Sequence, residues 1–223
     1  MFSPAAYHVT TLDGEVKVDL TTATPAPVPT PAPAPAPKPA PSGQGKYKIV
    51  IDAGHGGSDS GAVGAAGNYE KTLTLSVASK VAADLRNNPN FNVIMTRTGD
   101  TLPSLQDRVD IANGAKADVF LSIHANSAVP SAHGTETYYR TSQSSTFAAI
   151  IHKHLISATG FFDRGVKTAN YYVIKNTSMP STLVELGFLT NSAENQTMLT
   201  PQFQQRVADA LAAGITEYYN KYH

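Results

Sequence analysis

"YKIVIDAGHGGSDSGAVGAAGNYEKTLTLSVASKVAADLR", Tyr47 to Arg86, passes from an apolar segment through a glycine-rich loop into a segment of helical periodicity. Its opening, "YKIVID", reads as a strand, and Leu73, Val77 and Leu85 mark one face of a helix over residues 71–86. The same alternation continues downstream. "FNVIMTR" is a strand ending in the Gly99-Asp100 turn, and Ser104 with Asp107 forms a capping box before Leu105, Val109 and Ala112. "ADVFLSIHAN" reads as a buried strand, "GTETYY" as an alternating one, and Ile150, Ile151 and Leu155 place a helix over residues 147–158. "NYYVIK" and "STLVELGF" are expected to be two further strands. In the last helix Thr200 is the cap, Pro201 takes the first position, and Phe203, Val207, Leu211 and Ile215 line one face. The expected fold is therefore α/β, a single three-layer domain whose mainly parallel mixed sheet is covered by helices on both faces. Ligands bind such sheets at the carboxyl ends of the strands.

Upstream the composition changes. From Pro25 to Pro41 proline stands at every second position, mostly alternating with alanine, which denies a helix or sheet its backbone donors. In polyproline II geometry this stretch would reach roughly 50 Å at about 3.1 Å per residue. We divide the chain into an arm over residues 1–24, a Pro/Ala-rich linker over residues 25–45 and a domain over residues 46–223. The arm holds one expected strand, "EVKVDL", is too short for a core of its own, and reads as the tail of a truncated upstream module.

Composition removes several functions. Seventeen Lys and Arg balance 17 Asp and Glu, so no basic stripe argues for nucleic acid. No apolar run approaches the ~20 residues of a membrane span, and the first twenty residues lack the pattern of a secretion signal. With no cysteine in the chain, any metal must sit on His, Asp or Glu.

Those residue types gather at the strand ends. His55 follows "YKIVID", His124 ends "VFLSIH" and Glu185 ends "STLVE", which sets three polar groups along one edge of one sheet. Two imidazoles and a carboxylate form the open three-ligand set of catalytic zinc sites, where a closed structural site uses four ligands. Other readings stand beside this one at the level of residues. The glycines around His55 could cradle a phosphate, although neither a dinucleotide fingerprint nor a Gly-Lys-Ser/Thr ending follows. His124 could be a satisfied core histidine, and Glu70 could serve the dipole of the helix it opens. A buried Glu185 must be paired, metal-bound or catalytic. His8, His133, His152, His154 and His223 lack such context and are read as solvated.

Taken in order, "VIDAGHGG", "YEK", "FLSIHAN" and "STLVELGFLTN" resemble the zinc-dependent N-acetylmuramoyl-L-alanine amidases of bacterial cell-wall turnover, and the match covers essentially the whole domain. The resemblance implies a zinc ion held by His55, Glu70 and His124, with Glu185 as the catalytic carboxylate. It implies hydrolysis of the amide between the lactyl group of N-acetylmuramic acid and the L-alanine of the stem peptide, the substrate being peptidoglycan. Asn126, Arg108 and Arg164 also fall on positions the family fills in the same way. Asn126 and Arg164 are candidate substrate contacts, Arg164 either facing stem-peptide carboxylates or closing an internal ion pair. Another zinc peptidase cutting within the stem peptide would use the same metal logic, and a non-catalytic wall-binding module is the non-enzyme alternative. Some relatives carry a helical insertion over the zinc; the short connections here, notably between Tyr139 and Phe147, leave no room for one. Beyond the resemblance, the short connections lead us to expect an open cleft and activity without an activator; a monomer is expected, and the substrate implies an extracellular or wall-associated location.

Overall fold

The computed structural model describes residues 6–12, 15–21 and 45–223. Near the amino terminus, β1 (Ala6–Leu12) and β2 (Glu15–Thr21) pair antiparallel, with Val9 opposite Val18. The expected "EVKVDL" strand is thus β2, and β1 adds a partner that its mixed composition concealed. The Pro25–Pro41 linker reading lies outside the described residues.

In the large unit, β3 (Tyr47–Ala53) and β5 (Val119–Asn126) are neighbouring interior strands of the sheet and are buried on both sides. Alternate residues explain this. Ile49, Ile51, Leu121 and Ile123 enter one apolar layer, whereas Val50 and Phe120 enter the other. The sheet adds β4 (Phe91–Met95), β6 (Thr135–Tyr139), β7 (Asp163–Thr168) and β8 (Ser181–Phe188) in the order β4-β3-β5-β8-β6-β7. The first four are mutually parallel; β6 runs against β8 and parallel to β7. The mainly parallel mixed sheet expected from the sequence is therefore present.

Three long helices cover one face: α1 (Glu70–Arg86), α3 (Ser145–Thr159) and α6 (Pro201–Tyr222). Their stripes, among them Leu73, Val77, Phe147, Ile151, Phe203 and Leu211, close the larger core. Full burial of such a side chain is worth about 1.5–3 kcal/mol. Thr200 caps α6 by accepting from the backbone N–H of Phe203, and Ser104 and Asp107 make the anticipated capping box on α2 (Leu105–Gly114). The opposite face carries less. There α2 and the short α4 (Tyr172–Asn176) pack Val109, Ala112, Val173 and Ile174 against Val50, Phe120 and Leu183, and they leave a cleft beside the strand ends.

Local readings change at four places. "NYYVIK" is not a strand but contains α4, because the neighbours Val173 and Ile174 are both buried in the same small core, where a strand would send them to opposite faces. Strand β7 was not legible: Asp163, Arg164, Gly165 and Lys167 give it no apolar alternation, and it survives as a polar edge strand with a bulge opposite β6. Helix α5 (Ser192–Met198) has no long stripe, only Asn191 as its cap. His152 is also not solvated. It is 7% exposed and its ring nitrogens meet Thr137 Oγ1 and Asp163 Oδ1, each at 2.9 Å, which ties α3 to β6 and to the edge strand β7.

Candidate metal centre and cleft

Adjacent parallel strands deliver the site. Past the end of β3 the chain turns at His55, whose φ of 60° lies in the left-handed region that costs a non-glycine residue about 1–2 kcal/mol. Two contacts hold it there. Arg108 Nη2 donates to the His55 carbonyl at 2.8 Å, and Asp59 Oδ2 sits 2.7 Å from its Nδ1. Glu70, the first residue of α1, returns to the strand ends through the loop, as its backbone N–H donates to Ala62 O at 2.9 Å. Its Oε1 lies 3.1 Å from His55 Nε2 and 2.9 Å from His124 Nδ1, and it accepts from Ala125 N. Gly61 makes this approach possible: a Cβ there would stand 2.6 Å from Glu70 Oε2 and 2.7 Å from His55 Cδ2.

The structure thus brings His55, Glu70 and His124 together, with one potential ligand atom from each and all within 4.8 Å of one another. Glu185 lies directly beside His124 in the β5-β8 register. The residue is half-buried, but its Oε2 is sealed from solvent and has no hydrogen-bond partner among the described residues. Burial, joined by the charges of Glu70 and Glu136, pushes its carboxyl well above the ordinary range. Burial also acts against Glu70, but the hydrogen bonds from His124 and His55 overcome it and hold that carboxyl below the usual range. Carboxylates outnumber free cations here, since Arg108 is already spent on Asp52 at 2.6 Å. A divalent cation fits this donor set: it would take one atom from each of the three side chains and balance the orphaned Glu185 oxygen.

Asn126 and Arg164 do not join that cluster. They meet instead at Glu136, a residue sequence reasoning missed. Asn126 Nδ2 donates to Glu136 Oε2 at 3.0 Å, Arg164 Nε and Lys167 Nζ donate to Oε1, and the Tyr138 hydroxyl donates to Oε2. Burial opposes ionisation of Glu136, but the hydrogen bonds from Lys167, Tyr138 and Arg164 pull its carboxyl down to about 2. Of the two readings of Arg164, the internal ion pair is the one formed. Glu136 pairs with Glu185 across β6 and β8, so its only signal in the sequence is its place in an alternating strand. Asp59 had a weaker one, four residues after His55 in the same loop. Arg108, whose role the sequence left open, proves to be the anchor of the β3 end: besides Asp52 Oδ1 it donates to Ala53 O at 2.7 Å and His55 O.

An α/β sheet whose carboxyl edge gathers two imidazoles and a glutamate around one point, with a second glutamate sealed beside them, has the anatomy of a metal-dependent hydrolase. Comparison with known proteins makes this specific: residues 49–217 match the family described as N-acetylmuramoyl-L-alanine amidase, and the chain belongs to that family. It is similar to the catalytic domain of CwlV, an N-acetylmuramoyl-L-alanine amidase from Bacillus (Paenibacillus) polymyxa var. colistinus, with 49% identity and a TM-score of 0.77 over 78% of this chain and 98% of that one. It is 43% identical over 177 residues to YqiI of Bacillus subtilis (strain 168), covering 78% of this chain and 85% of YqiI. The N-acetylmuramoyl-L-alanine amidase LytC of the same organism is 43% identical over 176 residues, 77% of this chain but only 35% of LytC. The protein is a hydrolase of the metal-dependent amidases of the cell wall.

Proposed function

We propose that residues 46–223 are a zinc amidase domain that cuts the amide between the lactyl group of N-acetylmuramic acid and the L-alanine of the peptidoglycan stem peptide. The observation that carries this reading is the convergence of His55, Glu70 and His124 on one point beside the unpartnered Glu185 oxygen. His55 Nε2, Glu70 Oε1 and His124 Nδ1 are the proposed ligand atoms. A zinc ion there would polarise the amide carbonyl and bring the pKa of its water towards ~7. Glu185 takes a proton from the attacking water as the C–O bond forms and then delivers it to the departing nitrogen, so that the C–N bond breaks. The products are a lactyl carboxylate and a free L-alanine amino terminus. Asn126 and Arg164 act at the peptide side of the cleft through Glu136: they hold its charge in place, and Arg164, with Lys167, offers a partly exposed cation to a stem-peptide carboxylate.

Asp59 orients His55 through the 2.7 Å contact to Nδ1, which fixes the tautomer that frees Nε2 for a metal. Asp59→Ala should lower zinc affinity by about tenfold to a hundredfold by calorimetric titration. An unchanged affinity would make that contact incidental.

The chain is proposed to act as a monomer without an activator. Supporting this, only residues 140–144 join β6 to α3, too short for a helical plug over the cleft. No helix of the described residues is long and apolar enough to cross a membrane. Its substrate puts it outside the cell or on the wall, with the proline-alternating stretch over residues 25–45 as a tether to residues 1–24.

Mass spectrometry of muropeptides incubated with the zinc-loaded protein, and with the same protein after chelation, tests the reading. Free stem peptide with an intact L-alanine amino terminus is expected from the first sample alone. A cut inside the peptide would overturn the amidase assignment.

A further inference from the structure

The cleft is not uniform. Its cavity of about 600 Å³ reaches from His55, His124 and Glu185 to a wall built by the segment before α2, the start of α2 and the start of α4. That wall is apolar and open to water: Leu102 is 46% exposed, Leu105 56%, Tyr171 42% and Tyr172 40%. Exposed apolar side chains lining a cavity mark a ligand surface, because solvation alone would select against them. Both rings are also held in place. The Tyr172 hydroxyl donates to Gln106 Oε1, and Tyr171 packs edge-on against Tyr138 with centroids 5.1 Å apart. A wall fixed before binding loses little side-chain entropy when a ligand arrives.

Charge decides which arm of the substrate it takes. The acidic groups Asp52, Asp59 and Glu185 line the cavity, and its one arginine, Arg108, is 3% exposed and paired with Asp52. A stem peptide carries carboxylates and would find no free guanidinium or ammonium in this lining. The partly exposed cations Arg164 and Lys167 lie beyond it, on Glu136. A pyranose suits the wall better, since its ring faces present C–H groups, its acetamido arm ends in a methyl group, and its hydroxyls stay at the wet rim.

Resting on the amidase reading, we propose that Leu102, Leu105, Tyr171 and Tyr172 form the glycan subsite, which receives the N-acetylmuramoyl ring and directs the stem peptide towards Arg164 and Lys167. The amidase then discriminates by the sugar attached to the scissile amide as well as by the peptide. Removing one ring from such a wall is expected to cost about tenfold in kcat/KM, carried chiefly by KM.

The test pairs two substrates with the same peptide, one bearing the N-acetylglucosaminyl-N-acetylmuramoyl disaccharide and one with only a D-lactoyl group. The zinc-loaded full chain should prefer the first by at least about tenfold in kcat/KM. Tyr172→Ala and Leu105→Ser should each narrow that ratio, while Tyr172→Phe, which keeps the ring, should retain it. Both side chains are partly exposed, and circular dichroism checks that the variants fold. Equal use of the two substrates by the parent, or an equal loss on both in the variants, would overturn the subsite while leaving the amidase reading intact. Hydrolysis of neither substrate by the parent would sink both.

Discussion

Glu185→Gln should lower the rate of muropeptide hydrolysis by about a thousandfold, within the range that a positioned general base supplies. Glutamine keeps the shape of the side chain and removes its capacity to take a proton. The change should leave the zinc ligands in place and lower affinity only by the lost charge, because the metal-type cluster consists of His55, Glu70 and His124. It should not destabilise the metal-free protein either. Glu185 Oε2 is sealed and unpartnered, and burial has already pushed its carboxyl upward, so a neutral amide there costs no more than the acid. Steady-state kinetics, metal analysis and thermal unfolding on one preparation separate these effects. A variant that keeps more than about a tenth of the activity would remove Glu185 from proton transfer.

Arg108→Met should produce the largest loss of stability, about 3–5 kcal/mol by denaturant titration, because it strands a buried charge. Asp52 is 1% exposed; it would keep the hydroxyls of Thr96 and Ser122, at 2.6 and 2.7 Å, but lose the guanidinium paired with it. The carbonyls of Ala53 and His55 would lose the same guanidinium, so the strained His55 turn would relax and zinc affinity would fall along with stability. Asp52→Asn combined with Arg108→Met should recover part of the stability, since the stranded charge is gone, but not the affinity, since the turn stays unanchored. A loss below about 1 kcal/mol in the single variant would show that the pair contributes little beyond packing.

The Glu136 cluster shows how far a sequence can be read. Asn126 and Arg164 were legible as candidates from their motif neighbours, yet the group that organises them was not. Glu136 looks like any polar position of an alternating strand until β6 is laid antiparallel on β8 and the polar edge strand β7 is added outside it. Glu70 shows the same limit from the other side. As a residue it was indistinguishable from a helix-opening glutamate, which it also is, and only the ordered motifs suggested a second role before the loop returned it to the two imidazoles.

Everything legible along the chain alone follows from short-range physics. Period-2 and period-3.6 apolar patterns, the caps at Ser104 and Thr200, and the glycines around His55 specify strands, helices and turns locally, so the α/β class and the strand ends carrying His55, His124 and Glu185 could be read directly. Non-local pairing set the rest. Strand order puts His124 beside Glu185, the buried Arg108-Asp52 pair anchors the turn, α4 forms where a strand was expected, and the thin second layer leaves an apolar wall open to water. Each of these is a contact between segments distant in the chain, whose energy no local pattern records.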